Sequence, residues 1–175
     1  MADHKKAEAY LTILAVLIIL LVAIRFRAPL LKYYGFYEPD DYYHFSVIRA
    51  AIANNFIVPM YLSISGWPAH TIVSEPKGLY YTVIAPYFIL RFFGISAYQI
   101  MRHVALVFGL FDVIGAYFLA RYLSKDKLLG LLAMALVALN MGDAARTSAL
   151  IFRGDSFVTI FLILALIASL AMMKE

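Results

Sequence analysis

The stretch YLTILAVLIILLVAIRFR, Tyr10 to Arg27, decides the fold. No charge interrupts it between Tyr10 and Ile24, and Lys5 and Lys6 precede it. A bilayer needs about 20 apolar residues, and Tyr10 and Arg25 reach toward the headgroups at either end to complete the crossing. A secretory signal peptide shares this outline but requires a small-residue cleavage pattern. Here the run ends in Arg25-Phe26-Arg27, so the sequence predicts a retained signal anchor and a first span at about 10–27.

Composition extends that reading to the whole chain. Across 175 residues, 64% are hydrophobic and the mean hydropathy is +0.83, too apolar for a soluble domain of this size. The absence of Cys excludes disulfides and thiolate metal sites. A net charge of +4 is scattered between apolar runs instead of forming a basic stripe, which argues against nucleic acid as a partner. The thirteen Tyr and thirteen Phe fit membrane interfaces better than a stacking surface. The expected class is an all-α polytopic membrane protein, in contact with membrane lipids.

Further spans are expected at about 104–123, 128–145 and 157–173. A tight polar turn, Ser124-Lys125-Asp126-Lys127, separates the first two. A long external loop would occupy about 28–103. Pro86 and Arg91 lie inside the apolar stretch Leu79 to Ile95, which therefore reads as a helix on the membrane surface, and Val58 to Lys77 reads as an irregular loop. A second external loop, about 141–156, carries Asp143, Arg146, Arg153 and Asp155. With this four-span count, Asp40 and Asp155 emerge on one side; a fifth span at 79–95 would separate them. A cytoplasmic N-terminus puts Lys5, Lys6, Arg121, Lys125, Lys127 and Lys174 inside and both loops on the extracytoplasmic or lumenal face.

The first loop holds the most chemically loaded segment, Glu38-Pro39-Asp40-Asp41-Tyr42-Tyr43-His44-Phe45. Pro at a first helical position and two carboxylates in the first turn mark a helix start. Phe45, Ile48, Ile52 and Phe56 continue it as an amphipathic helix over about 39–55. Capping alone explains an acidic pair there. Together with Asp155, Arg146 and Arg153, the pair also suits a divalent cation beside a lipid-linked phosphate: carboxylates take the cation, and Arg offers forked donors to phosphate. For each Arg, reaching for the headgroups is the plainer role. His44, four residues after Asp40, reads as a local hydrogen-bond partner in preference to a metal ligand. Asp112, near the middle of the second span, costs about 2.5–3.5 kcal/mol to insert unless protonated or partnered. Interhelical hydrogen bonding is its plainest role, and no basic residue in the other spans is an obvious partner.

The order of these motifs resembles the N-terminal part of the catalytic subunit of oligosaccharyltransferases, polytopic glycosyltransferases of the GT-C fold. The resemblance runs from about Glu38 to Asp155, through Glu75-Pro76-Lys77-Gly78-Leu79-Tyr80-Tyr81, Tyr117-Phe118-Leu119-Ala120-Arg121 and Arg146-Thr147-Ser148. It implies catalytic, metal-binding roles for Asp40 and Asp155, with Mn²⁺ or Mg²⁺ as cofactor and Asp41 and His44 in second rank. Arg146 and Arg153 would meet the lipid phosphate. The implied partners are a lipid-linked oligosaccharide and an acceptor polypeptide. Phe157 stands where the family's second motif has a further ligand, and the Gly-aromatic pair before the acid is replaced by Phe152-Arg153-Gly154. The family's further spans and acceptor-reading domain lead us to expect a remainder beyond residue 175, without which this piece is inactive. The rivals are another GT-C enzyme using a polyprenyl-phosphate sugar, and a non-catalytic membrane subunit.

Overall fold

The computed structural model describes residues 2–62 and 71–172. It is built from helices: α1 (Ala2–Arg27), α2 (Pro39–Ala53), α3 (Lys77–Leu90), α4 (Ala97–Ser124), α5 (Lys127–Leu139), α6 (Met141–Arg146) and α7 (Asp155–Met172). By length and composition, α1 from Lys6 and all of α4 can cross a membrane, whereas α5 and the Phe157–Met172 part of α7 are shorter apolar helices. This is an all-α membrane protein. Along α1, Tyr10, Leu11, Ile13, Leu14, Leu17, Ile18 and Leu21 are each more than half exposed. Lipid is the solvent that accepts such a surface.

Long helix α4 is the central post, packing against α1, α3, α5 and α7. Ser96 starts it by accepting the Gln99 N–H at 3.2 Å, while the Gln99 side chain accepts the Ser96 N–H at 2.8 Å. Lys125, at φ +58°, reverses the chain, and the Asp126 side chain caps α5 by accepting the Leu128 N–H at 2.7 Å. At this end Lys127 pairs with Glu8 at 2.9 Å, which brings the start of α1 beside the start of α5. A core of Ala23, Val113, Tyr117, Met134 and Ala138 joins α1, α4 and α5.

At the other end sits a second core, with Val47, Ile48, Tyr80, Val83, Ile84, Met101 and Phe152 from α2, α3, α4 and the loop before α7. Helix α3 has 14 residues, or roughly 21 Å of rise, against about 30 Å for the hydrocarbon layer. Gly94, at φ +75°, ends the turn that follows it. The segment expected to be irregular contains a two-residue antiparallel ladder, Tyr61–Leu62 with Thr71–Ile72. Its β-prone residues pair locally, while 63–70 lie outside the described residues.

The helix expected over 128–145 ends at Leu139. Asn140 adopts an extended backbone, and its Oδ1 accepts from Gly142 N–H at 2.9 Å and Asp143 N–H at 3.3 Å, which starts α6. A buried cation covers the break. Arg27 is fully buried and donates to the carbonyls of Val137 (3.2 Å), Ala138 (3.1 Å) and Ala23 (3.4 Å), to Thr147 Oγ1 (2.9 Å) and to the Asp143 carboxylate. Helix ends in apolar surroundings need partners for their open carbonyls, and this guanidinium supplies them.

A candidate active site where two loops meet

Asp40 and Asp41 are neighbours in sequence but separate in role. One residue along a helix rotates the side chain by about 100°, so the two cannot share a direction. Asp40 is exposed, whereas Asp41 is fully buried. Asp41 Oδ2 accepts the Glu38 N–H at 3.1 Å, and Oδ1 accepts the Phe152 N–H at 2.8 Å. Burial raises the Asp41 pKa above its ordinary value, and these two N–H bonds pull it back down. This carboxylate is occupied in joining the first loop to the second.

Around that joint stand further polar groups. Arg153 Nη1 lies 3.5 Å from Glu38 Oε2 in a half-open ion pair. Glu75 lies over Gly154: a Cβ built on that glycine would be 3.9 Å from Glu75 Oε2. His44 is buried, its Nδ1 3.3 Å from the Tyr80 hydroxyl and its ring edge-on to Phe152 and Tyr43. Burial lowers the His44 pKa, opposed by Glu75 and Asp40. Burial likewise raises Tyr43 and Tyr80, with Glu75 adding to both, so both phenols stay protonated. The imidazole thus meets one phenol, that of Tyr80, by a hydrogen bond and the other, that of Tyr43, by ring contact alone.

The loop before α7 is held from three sides. Ala149 N–H donates to Arg27 O at 2.9 Å, Leu150 N–H to Arg102 O at 3.0 Å, and Phe152 N–H to Asp41. Arg102 in turn donates to the carbonyls of Leu31 and Tyr33, each at 2.8 Å. Leu150 takes φ +70°, a conformation that needs such support. Arg153, Gly154 and the start of α7 at Asp155 are thereby set against the first turn of α2. The side chain of Asp155 lies outside the described residues.

Of the residues singled out by sequence, Asp41, His44 and Arg153 converge, and Asp40 is on the exposed side of the same helix start. Arg146 stands exposed in the last turn of α6. Glu38 and Glu75 were missed as site residues. Their signal was a shared dipeptide, since Glu-Pro stands at the start of both α2 and α3, at Glu38-Pro39 and Glu75-Pro76. Among the described residues no three His, Asp or Glu side chains are grouped to hold a metal. Asp41 is committed to backbone N–H groups, and Asp155, the other ligand that the resemblance implies, has its side chain outside the described residues.

No family profile matches the chain. Among curated proteins, the dolichyl-phosphooligosaccharide-protein glycotransferase 1 of Pyrococcus horikoshii is 28% identical over 140 residues, 80% of this chain and 14% of that protein. The chain resembles archaeal oligosaccharyltransferases. Glycotransferase 2 of the same organism is 27% identical over 155 residues, covering 87% of this chain and 20% of the relative. Glycotransferase 1 of Pyrococcus furiosus is 26% identical over 162 residues, 86% of this chain and 16% of its own length. The chain thus spans about a fifth or less of the length of these glycotransferases.

Proposed function

We propose that this chain is part of a membrane oligosaccharyltransferase, an enzyme moving a glycan from a polyprenyl phosphate or pyrophosphate carrier to an asparagine side chain. The observation that carries the proposal is the seating of Phe152 on Asp41, which gathers Glu38, His44, Glu75, Arg153 and the start of α7 at one place. The similarity to named glycotransferases supplies the reaction class.

Asp40, exposed at the first turn of α2, is the carboxylate placed to orient the acceptor amide. Arg153 would leave its weak pairing with Glu38 to take the phosphate of the departing lipid, since an exposed ion pair is worth about 0–1 kcal/mol and is readily exchanged. Arg146 is the second candidate for that phosphate. His44 of α2, bonded to Tyr80 of α3, ties α2 to α3 just after its first turn. Mn²⁺ or Mg²⁺ with Asp40 and Asp155 as ligands is also proposed from the resemblance; because the described donor set is incomplete, no step is routed through it. We further propose that both loops face the extracytoplasmic or lumenal side, that a remainder of the enzyme reads the acceptor, and that this piece is inactive by itself.

In the complete enzyme, Asp40→Ala should abolish transfer from lipid-linked oligosaccharide to an Asn-containing acceptor peptide. Unchanged turnover would remove Asp40 from the site.

A further inference from the structure

Asp112 lies about midway along α4, a helix long and apolar enough to cross a membrane, and is fully buried, with neither carboxylate oxygen holding a hydrogen-bond partner among the described residues. The charged groups acting on it are Arg27 from α1 and Asp143 from α6. Helix α5 offers this cluster only the carbonyls of Val137 and Ala138, and α7 carries no charged residue from Phe157 to Met172. One turn before Asp112, Gly109 presses on Thr147 and Arg27: a Cβ there would be 2.6 Å from Thr147 Cβ and 2.9 Å from Arg27 Nε.

Charge and donor counts decide the state of this carboxyl. Arginine has five N–H donors, and Arg27 directs them to Ala23, Val137, Ala138, Thr147 and Asp143. None is left for Asp112. The Arg27 and Asp143 charges already cancel, so an ionised Asp112 would be an uncompensated charge in a low-dielectric interior. A metal cation would need several oxygen ligands. The oxygens of Val137, Ala138 and Thr147 each accept from the Arg27 cation, whose charge opposes a second cation there, and no three His, Asp or Glu side chains are grouped to hold one among the described residues.

We propose that Asp112 is an intramembrane proton-binding site: a neutral carboxylic acid whose proton keeps the contact of α1, α4 and α6 free of net charge. The inference rests on burial and charge balance, not on glycan transfer. Loss of that proton would place a charge beside the Arg27 and Thr147 anchor of the loop before α7, so the same site links membrane packing to loop position.

The test is infrared spectroscopy of the full chain in lipid nanodiscs at about pH 7, well above the ordinary aspartate value of about 3.9. With carboxyl-¹³C aspartate incorporated, the protein should show an isotope-shifted carboxylic-acid carbonyl band. In Asp112→Glu, which keeps the acid but not the label, that component should return to its unlabelled position. In Asp112→Asn it should be lost. Absence of an acid band assignable to Asp112 in the wild type would overturn the proposal, as would a band that appears only when sodium is withdrawn, which would mark a metal-cation site.

Discussion

Asp41 Oδ1 accepts the backbone N–H of Phe152 at 2.8 Å, a bond between residues 111 apart in sequence. It is buried, so water cannot replace either partner. Asp41→Ala would leave that N–H unsatisfied at a cost of about 1–3 kcal/mol. Asp40→Ala, at an exposed position, should change stability by no more than about 0.5 kcal/mol. Denaturation in detergent should therefore separate two adjacent aspartates: Asp41→Ala lowers stability, while Asp40→Ala leaves it intact and removes transfer in the complete enzyme.

Arg27 is the buried cation that closes the break between α5 and α6. Arg27→Leu strands Asp143 and the carbonyls of Val137 and Ala138, and should cost about 3–5 kcal/mol. Arg27→Lys should rescue little of this, because an ammonium has three donors for five acceptors. Unfolding measurements on both variants check the prediction.

Gly109→Ala pushes a methyl into Thr147 and Arg27, with the built Cβ 2.6 Å from Thr147 Cβ. Overpacking of this kind costs about 1–3 kcal/mol. Gly78→Ala is the control, since nothing lies within 4 Å of its Cβ. Melting of the pair should show Gly78→Ala at or above wild-type stability and Gly109→Ala clearly below it.

Burial holds the His44 pKa in the folded chain below its ordinary 6.5. Below that pH the unfolded chain therefore takes up the proton more readily. The stability contributed by neutral His44 is full above pH 6.5 and is lost as pH falls beneath it. His44→Gln should flatten this part of a stability-versus-pH curve, measured as denaturation midpoints across a pH series.

The start of α2 was legible from sequence because its signals are local: Pro39 at the first helical position, acids in the first turn and apolar spacing thereafter. The helical stretch at α3, Lys77–Leu90, was legible for the same reason, from an apolar run that begins just after Pro76. The resemblance ranked Asp40 ahead of Asp41, but the burial of Asp41 was not legible, since it depends on which way a helix faces a loop more than a hundred residues away. Nor was the break at Asn140. The apolar pattern runs through it, and the group that makes the break tolerable, Arg27, comes from another helix. Arg27 itself read as the polar end of a span, the usual place for such a residue. Only tertiary structure shows it turned inward.

The most direct test of a single two-loop site uses the absence of Cys. Tyr42→Cys and Arg153→Cys, at exposed positions on the first and second loops, would be introduced one at a time and then together in sealed membrane vesicles. An impermeant thiol reagent should label both from the same face, and a short bifunctional thiol cross-linker should join them in the double variant. Labelling from opposite faces, with no cross-link, would contradict a shared site and with it the proposed role of Asp40 and Arg153.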